Sequence, residues 1–316
     1  MKRLLTALLF FATCWASAAP ASAVEAKPRM TVLYASFLDF LMDLPIAIEE
    51  GYFQELGLDL EALDIPASPT RNAMLVKEEV DGAFLPSQAA LTFVDKGLKL
   101  TMVSGIGNRS FDFAVLADST IKSLADFQGK TVASVPNPSN PRLALDYDMK
   151  QHGVTAEVLS TKTDADRLSM LLSRQVDVVL SSPAMEARLG DDLRLVHTAS
   201  TSKYLWNSCG WFFKAEYIKK NREAVKLFVA GLEKARKLIR DNPQRAIEIY
   251  SKYNRLKDDD YKKPFVLAEF DVPAKVYGYG LRRTYDMMRE PGMLQGEIDV
   301  DAMITGDFAA VVEGDN

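Results

Sequence analysis

Few residues of this 316-residue chain could carry out covalent chemistry or hold a metal ion, and their spacing suits neither task. The two histidines, His152 and His197, are far apart in sequence and have no Cys or His neighbour at metal-ligand spacing. Cys209 lies in an apolar run, which favours a buried structural thiol over a nucleophile. The sequence contains no G-x-S-x-G motif of the kind that serine hydrolases use. We therefore expect no catalytic centre, no metal site and no cofactor.

Two glycine-containing segments resemble nucleotide-binding loops, but each lacks a residue that such a loop requires. Gly129-Lys130-Thr131 is not a P-loop, because Leu124 stands where that motif has a glycine. Gly105-Ile106-Gly107 lacks the third glycine of a dinucleotide-binding fingerprint, because Ser110 stands in its place. Neither segment is interpreted as a nucleotide site.

Polar and aromatic side chains gather instead in the loops that follow predicted strands, where open α/β sheets bind their ligands. Hydroxyl groups and free N–H groups at helix N-termini suit an anionic or polar ligand group, although a single such residue is more commonly a helix cap. The aromatic rings are expected to enclose the body of the ligand. The predicted ligand-binding residues are Phe37, Asp39, Phe40, Ser68, Thr70, Ser87, Gln88, Asn108, Asn137, Ser139, Asn140, Ser182 and Trp206.

These side chains need a framework, and the sequence predicts one made of alternating strands and helices. Such alternation is typical of parallel βαβ units, so the fold class is α/β. Beyond residue 221 the chain is predicted to be helical, because apolar residues recur there at a 3.6-residue period. The predicted strands lie at residues 30–34, 58–63, 82–85, 98–105, 130–135, 157–160 and 176–180.

A short internal repeat indicates two similar lobes. Met74-Leu75 and Val80-Asp81 recur 96 residues later as Met170-Leu171 and Val176-Asp177, each copy in the pattern of a helix that turns into a strand. Two α/β lobes that face each other form a cleft, and clefts between domains are favoured ligand sites. We predict a first lobe of residues 24–116 and 208–316 and a second lobe of residues 117–207.

The N-terminus has the layout of a secretory signal peptide. A short basic segment precedes an apolar run from Leu4 to Trp15, and small residues follow as far as Ala23. The apolar run is well short of the roughly 20 residues that span a bilayer. We predict cleavage after Ala23 and a periplasmic mature chain. Lipidation at Cys14 is the alternative.

The charge of the chain argues against one class of partner. It carries 43 acidic and 38 basic residues, with no basic tract. Because phosphate contacts supply most of the affinity for nucleic acids, we expect no nucleic-acid partner.

Several motifs resemble the SsuA/THI5-like (NMT1-type) solute-binding proteins. The segment Leu44–Leu58 resembles the opening of that family, with a Pro, an apolar helix, Gly-x-Phe and then Gly-Leu. Ile121–Ala133 is similar to its DLkGKkV signature, and Val80-Asp81 and Val176-Asp177 resemble its two G-x-vDa segments. The resemblance covers most of residues 30–240. It implies a periplasmic binding protein type II fold, in which two α/β lobes are joined by a hinge of two crossovers.

The same resemblance implies a function. The chain would be the monomeric substrate-binding subunit of an ABC importer, delivering a small organic solute to a membrane permease and its ATPase. Ligands of the family include sulfonates, aromatic acids and heteroaromatic compounds, and the apolar segment Phe37–Leu41 favours a ligand with a sizeable apolar body. The chain departs from the family pattern at Glu78-Glu79 and Arg174-Gln175, where a glycine is expected before each Val-Asp.

Two other functions stay open from the sequence. An enzyme on the same fold could act on a pyrimidine or menaquinone-type precursor, although fungal pyrimidine synthases of the family use a histidine and a cysteine-rich segment that this chain lacks. A sensory binding protein could instead present its solute to a membrane receptor.

Overall fold

The computed structural model describes residues 27–35, 41–65, 68–106, 111–199, 209–254 and 272–313. The predicted signal peptide, its cleavage site after Ala23 and the alternative lipidation site Cys14 lie outside the described residues. In the part of the chain that is described, no helix combines the length and the apolar character needed to cross a membrane.

The described strands form two sheets. In chain order the strands are β1 (Arg29–Tyr34), β2 (Asp59–Asp64), β3 (Gly82–Pro86), β4 (Leu100–Ile106), β5 (Asp112–Leu116), β6 (Thr131–Ser134), β7 (Glu157–Ser160), β8 (Val178–Leu180), β9 (Leu193–Thr198), β10 (Cys209–Lys214), β11 (Lys275–Tyr277) and β12 (Ala310–Val312). One sheet has seven strands in the order β12-β11-β4-β10-β3-β1-β2, and the other has five in the order β7-β6-β8-β5-β9.

Helices connect and cover these strands. They are α1 (Asp43–Glu49), α2 (Tyr52–Glu55), α3 (Ser68–Val76), α4 (Ser87–Asp95), α5 (Asn140–Gln151), α6 (Asp164–Leu172), α7 (Pro183–Leu189), α8 (Ala215–Lys220), α9 (Arg222–Asp241), α10 (Pro243–Asn254) and α11 (Gly278–Arg289). Neighbouring strands β1 and β2, β1 and β3, β6 and β7, and β6 and β8 are parallel. The predicted α/β class with parallel βαβ units is therefore confirmed.

One predicted boundary needs correction. The first lobe was predicted to extend to residue 116, but β5 pairs with β8 and β9 and so belongs to the second sheet. Along the chain, β5 is the first strand of the second sheet, and it runs antiparallel to its neighbours there. The chain therefore passes from the first sheet to the second between Ile106 and Asp112.

The internal repeat has a structural counterpart in both sheets. The backbone N–H of Thr31 donates to Asp81 Oδ2 at 2.7 Å, and that of Thr131 donates to Asp177 Oδ2 at 2.9 Å. In each lobe, an aspartate directly before one strand thus accepts a hydrogen bond from the backbone of the neighbouring parallel strand. Glu78 and Arg174 both have positive φ, at 62° and 56°, in the turns before these aspartates. Both lobes therefore use the same turn geometry, which explains why the family pattern favours glycine there.

The core of the first lobe lies where α9 packs on the sheet. Phe228 of α9 lies 4.9 Å from the ring of Trp211 and 5.6 Å from that of Phe53. A Cβ on Gly231 would lie 2.4 Å from the Phe53 ring, so α9 needs glycine there to approach α2. The predicted apolar face of this helix is confirmed, since Phe228, Leu232, Ala235 and Ile239 are buried.

Candidate ligand-binding site

The two sheets are joined at their carboxyl edges. The chain leaves the first sheet after Ile106 and re-enters it at Cys209. Cys209 is in register with both Ile106 and Pro86, and Pro86 is the carboxyl end of β3. The departing and returning crossovers therefore lie beside the edge at which α4 begins.

The second sheet has the same arrangement. Asp112 begins β5 and pairs with Thr198 at the end of β9. The carbonyl of Asp112 accepts a hydrogen bond of 2.7 Å from the N–H of Ser181, which follows the carboxyl end of β8. Because both crossovers join carboxyl edges, the helices that follow the parallel strands direct their N-termini towards the boundary between the lobes. A cleft at this boundary is the candidate site.

The first lobe contributes the N-terminus of α4. Its N-cap is Pro86, which has no side chain able to accept from the first N–H groups. Ser87 and Gln88 are buried in the first turn. Gln88 Oε1 is buried and has no hydrogen-bond partner among the described residues. An unpaired buried acceptor costs about 1–3 kcal/mol, so Gln88 is a candidate contact for a ligand.

The second lobe contributes the N-terminus of α5. Ser139 is its N-cap but makes no capping hydrogen bond. Ser134 ends β6 on the strand immediately before this helix, and it is completely buried. Within the described part of the chain, neither the Ser134 nor the Ser139 hydroxyl has a partner. A 12-residue helix with an uncapped N-terminus and two uncommitted hydroxyls is suited to an anionic group.

A basic side chain lies at the same helix start. Arg142, in the first turn of α5, donates from Nε to both carboxylate oxygens of Asp146, at 2.8 and 3.0 Å. Asn137 Nδ2 donates to Asp146 Oδ2 at 3.2 Å and so helps to hold that carboxylate. The terminal nitrogens of the Arg142 guanidinium have no partner among the described residues. They could therefore donate to an anion at the start of α5.

The predicted site residues divide into three groups. Ser87, Gln88, Ser139 and Asn140 lie at the two helix starts that face the boundary, with Asn137 in the loop before α5. Ser182 caps α7 by accepting from the N–H of Met185 at 3.2 Å, and Thr70 is exposed in α3. Ser68 begins α3, but its side chain is outside the described residues. Phe37, Asp39, Phe40, Asn108 and Trp206 also lie outside the described residues, and their roles stay predictions.

A completely buried ion pair lies behind the first-lobe edge, and the sequence reasoning missed it. Arg236 Nε donates to Asp43 Oδ2 at 2.8 Å, and Arg236 Nη2 donates to Ser104 Oγ at 3.0 Å. Burial raises the pKa of Asp43, while the Arg236 guanidinium opposes that rise. The available signal was an arginine inside the apolar face of α9.

A second buried pair ties α5 to the other side of its lobe. His197 Nε2 lies 2.8 Å from Asp148 Oδ2, with side-chain exposures of 13% and 5%. His152 Nδ1 lies 2.8 Å from the backbone oxygen of Asp148. The two histidines are therefore close in space although far apart in sequence. Among the described residues no group of three His, Cys, Asp or Glu side chains could hold a metal ion.

A separate cavity of about 390 Å³ lies at the other end of the first lobe. It is lined by the end of α4, the start of β4 and residues 296–303. These are amino-edge elements of β4, so the cavity is not part of the cleft at the carboxyl edges.

Two α/β lobes joined by two crossovers, with helix N-termini at facing carboxyl edges, define a protein of the periplasmic binding protein fold. Residues 42–246 match the NMT1/THI5-like family, and the chain belongs to that family. The predicted fold and the resemblance are thus confirmed.

Similar proteins include binders and an enzyme. One similar protein, from Brucella abortus (strain 2308), is named as a binding protein. It is 23% identical over 214 residues, which are 66% of each chain. That share is just under two thirds of the relative's length. The periplasmic aliphatic sulphonate binding protein SsuA from Escherichia coli is 16% identical with a TM-score of 0.72, covering 89% of this chain and 98% of SsuA. The desulfurization enzyme DszB is 14% identical with a TM-score of 0.62, covering 89% of this chain and 97% of DszB.

Proposed function

We propose that this chain is an exported substrate-binding protein that captures a small organic anion between its lobes and delivers it to an ABC permease and its ATPase. The observation that carries the proposal is the pair of facing helix N-termini, α4 and α5, with buried polar atoms that have no partner in the described residues. Buried polar groups in native proteins are nearly always hydrogen-bonded to protein or to ordered water, and a solute bound between these helix starts would supply such a partner.

The second lobe is the expected site of the negative charge. The uncapped start of α5, the hydroxyls of Ser134 and Ser139 and the guanidinium of Arg142 all favour an anion. On the first lobe, Gln88 Oε1 is an acceptor and suits an N–H or O–H group of the same solute. The predicted aromatic residues Phe37, Phe40 and Trp206 would contact its apolar body.

The name of the sulphonate-binding relative supports a sulfonate, and carboxylates carry the same charge on oxygen acceptors. We therefore assign the ligand to small organic sulfonates or carboxylates with an apolar or aromatic body. The same relative is periplasmic by name, which supports a periplasmic location for this chain. Cleavage after Ala23 and a monomeric state stay predictions from the sequence.

An enzyme on this fold is the second candidate, because DszB shares the fold. The side chains favour the binding role. Cys209 begins β10 and is buried, and burial in apolar surroundings disfavours the thiolate that a nucleophile requires. His197 is paired with Asp148 inside the second lobe, away from the uncapped helix start.

A thermal-shift panel tests the proposal. The mature chain is heated with alkanesulfonates, aromatic carboxylates, pyrimidines and flavins, each anion beside its neutral sulfonamide or amide. A true ligand at 100 times its Kd adds about 2.7 kcal/mol of stability. We expect at least one anion to raise Tm and its neutral analogue to have no effect. A panel without any shift, or equal shifts for anion and neutral analogue, contradicts the proposed site.

The same panel separates binding from catalysis. Each compound that raises Tm is incubated with the protein and recovered for mass spectrometry. The proposal predicts an unchanged compound, whereas a product formed in proportion to protein concentration would establish the enzyme.

A further inference from the structure

The lobes also contact each other through helices. Helix α11 belongs to the first lobe, where it packs against α4, and it also packs against α5 of the second lobe. It therefore contacts both helices whose N-termini face the cleft.

The contact uses one face of each helix. On α5, Tyr147 and Lys150 are three residues apart and so lie on the same face. Arg283 of α11 and Glu290, just beyond its end, are seven residues apart and also share a face. The Arg283 guanidinium carbon lies 4.1 Å from the centre of the Tyr147 ring, and Lys150 forms an ion pair with Glu290. We call these four residues the interlobe latch.

The two halves of the interlobe latch differ in strength. The side chains of Lys150 and Glu290 are 57% and 64% exposed, and ion pairs this exposed contribute little. Arg283 and Tyr147 are half-buried, and burial lowers the pKa of Arg283. A cation–π contact strengthens as water is removed from it, so the stack of Arg283 on Tyr147 carries most of the attraction.

Each helix is fixed within its own lobe, so separating them requires the lobes themselves to move. Asp148 holds α5 to His197 of β9, the strand that leads into the second crossover. Arg282 Nε donates to Asp301 Oδ1 at 2.7 Å and holds α11 within the first lobe. An arrangement without the latch contact is therefore one in which α5 and α11, and with them the two lobes, lie further apart.

We infer that the interlobe latch sets how far the lobes are closed before any solute binds. Its effect on affinity rests on the proposed function, because a solute held by both lobes binds the closed arrangement. The apparent Kd rises in proportion as the closed fraction falls.

The test compares Tyr147→Leu, which keeps apolar bulk but removes the ring, with Tyr147→Phe, which keeps the ring. Spin labels at Lys77→Cys in the first lobe and Asp191→Cys in the second report the distance between lobes, and both positions are exposed. Double electron–electron resonance spectra are recorded without ligand. We expect longer distances for Tyr147→Leu and an unchanged distribution for Tyr147→Phe. Unchanged or shorter distances for Tyr147→Leu would overturn the inference.

Three further measurements separate the inference from effects on folding and from the proposed function. Circular dichroism of both variants checks that the fold is retained. If Lys150→Glu lengthens the distances, adding Glu290→Lys to that variant is expected to restore them. For a compound that binds the parent protein, Tyr147→Leu is expected to weaken affinity about fivefold, which matches about 1 kcal/mol of lost cation–π attraction. If Tyr147→Leu lengthens the distances but no compound of the panel binds the parent protein, the inference about the latch stands and the proposed function is rejected.

Discussion

Gln88 Oε1 and Ser139 Oγ are buried at the two helix starts, and Ser134 Oγ is buried at the end of the strand before α5. None of the three has a partner within the described chain. Each unpaired group destabilises the free protein and can form a hydrogen bond with a bound solute. Buried groups of this kind persist where function needs them, because replacing them by apolar atoms would make the free protein more stable. A trade between stability and binding is therefore expected at these positions.

Ser134→Ala tests that trade directly. Removing an unpaired, fully buried hydroxyl is expected to raise the free energy of unfolding by about 1 kcal/mol in urea titrations. Binding of an anion from the panel should weaken at the same time, because one donor is lost. Thr163→Ala is the matched control, since the Thr163 hydroxyl accepts from the N–H of Asp166 at 3.1 Å and caps α6. Its loss should lower stability by about 1 kcal/mol. A destabilised Ser134→Ala would show that the hydroxyl has a structural role.

Tyr34, at the carboxyl end of β1, gives a prediction for alkaline pH. Burial, with smaller contributions from Asp64 and Tyr253, raises its pKa from 10.0 to about 12. The unfolded chain therefore loses this proton first. The contribution of Tyr34 to stability is fully present below pH 10 and is lost as the pH rises from 10 to 12. In Tm measurements across this range, Tyr34→Phe should decline less steeply than the parent protein. Parallel curves would mean that Tyr34 ionises normally.

At the scale of elements, the buried pair of Asp43 and Arg236 joins α1 to α9 behind the cleft edge. Both side chains are 0% exposed, so neither charge can be screened by water if its partner is removed. Breaking such a pair on one side costs about 3–5 kcal/mol, whereas replacing both partners by apolar residues is far less costly.

Arg236→Met should accordingly reduce the free energy of unfolding by about 3–5 kcal/mol. The double variant Asp43→Leu with Arg236→Met should recover most of that loss in the same urea titration. A double variant as unstable as the single one would show that the pair contributes more than mutual charge compensation.

The parallel strands could be predicted because each is a short apolar segment between helices of clear period. The strands β5, β9 and β10 were not predicted. They pair antiparallel beside the crossovers and so fall outside the βαβ alternation on which the prediction rests. In β10 the run Cys209–Phe213 is apolar at every position, and such a run does not reveal by its period whether it is strand or helix.

The candidate site was predictable to the extent that it follows strand ends. Gln88 and Ser139 lie at helix starts whose place in a βαβ unit can be predicted from the sequence. Arg283 and Tyr147 were missed because their contact joins elements more than a hundred residues apart, and nothing local marks it. Asp148 and His197 were missed for the same reason.

At the scale of the whole molecule, the two sheets repeat one plan. The order β2-β1-β3-β10-β4 within the first sheet corresponds to β7-β6-β8-β5-β9 in the second, with an antiparallel strand in the same place. The repeat of Val-Asp at residues 80–81 and 176–177 is the part of this plan that the sequence preserves. Two such lobes joined at their carboxyl edges can close on a solute by a hinge motion. The interlobe latch adds a side-chain contact between the lobes to the two crossovers of the backbone.

The proposed function requires an organic anion to bind between these lobes at the start of α5. Calorimetric titration of the panel compound that raises Tm most, against the parent protein and Ser139→Ala, measures this binding. We expect one site per chain, an affinity lowered at least several-fold by Ser139→Ala, and no binding of the neutral analogue. Equal affinity in the two proteins, together with binding of the neutral analogue, would contradict it.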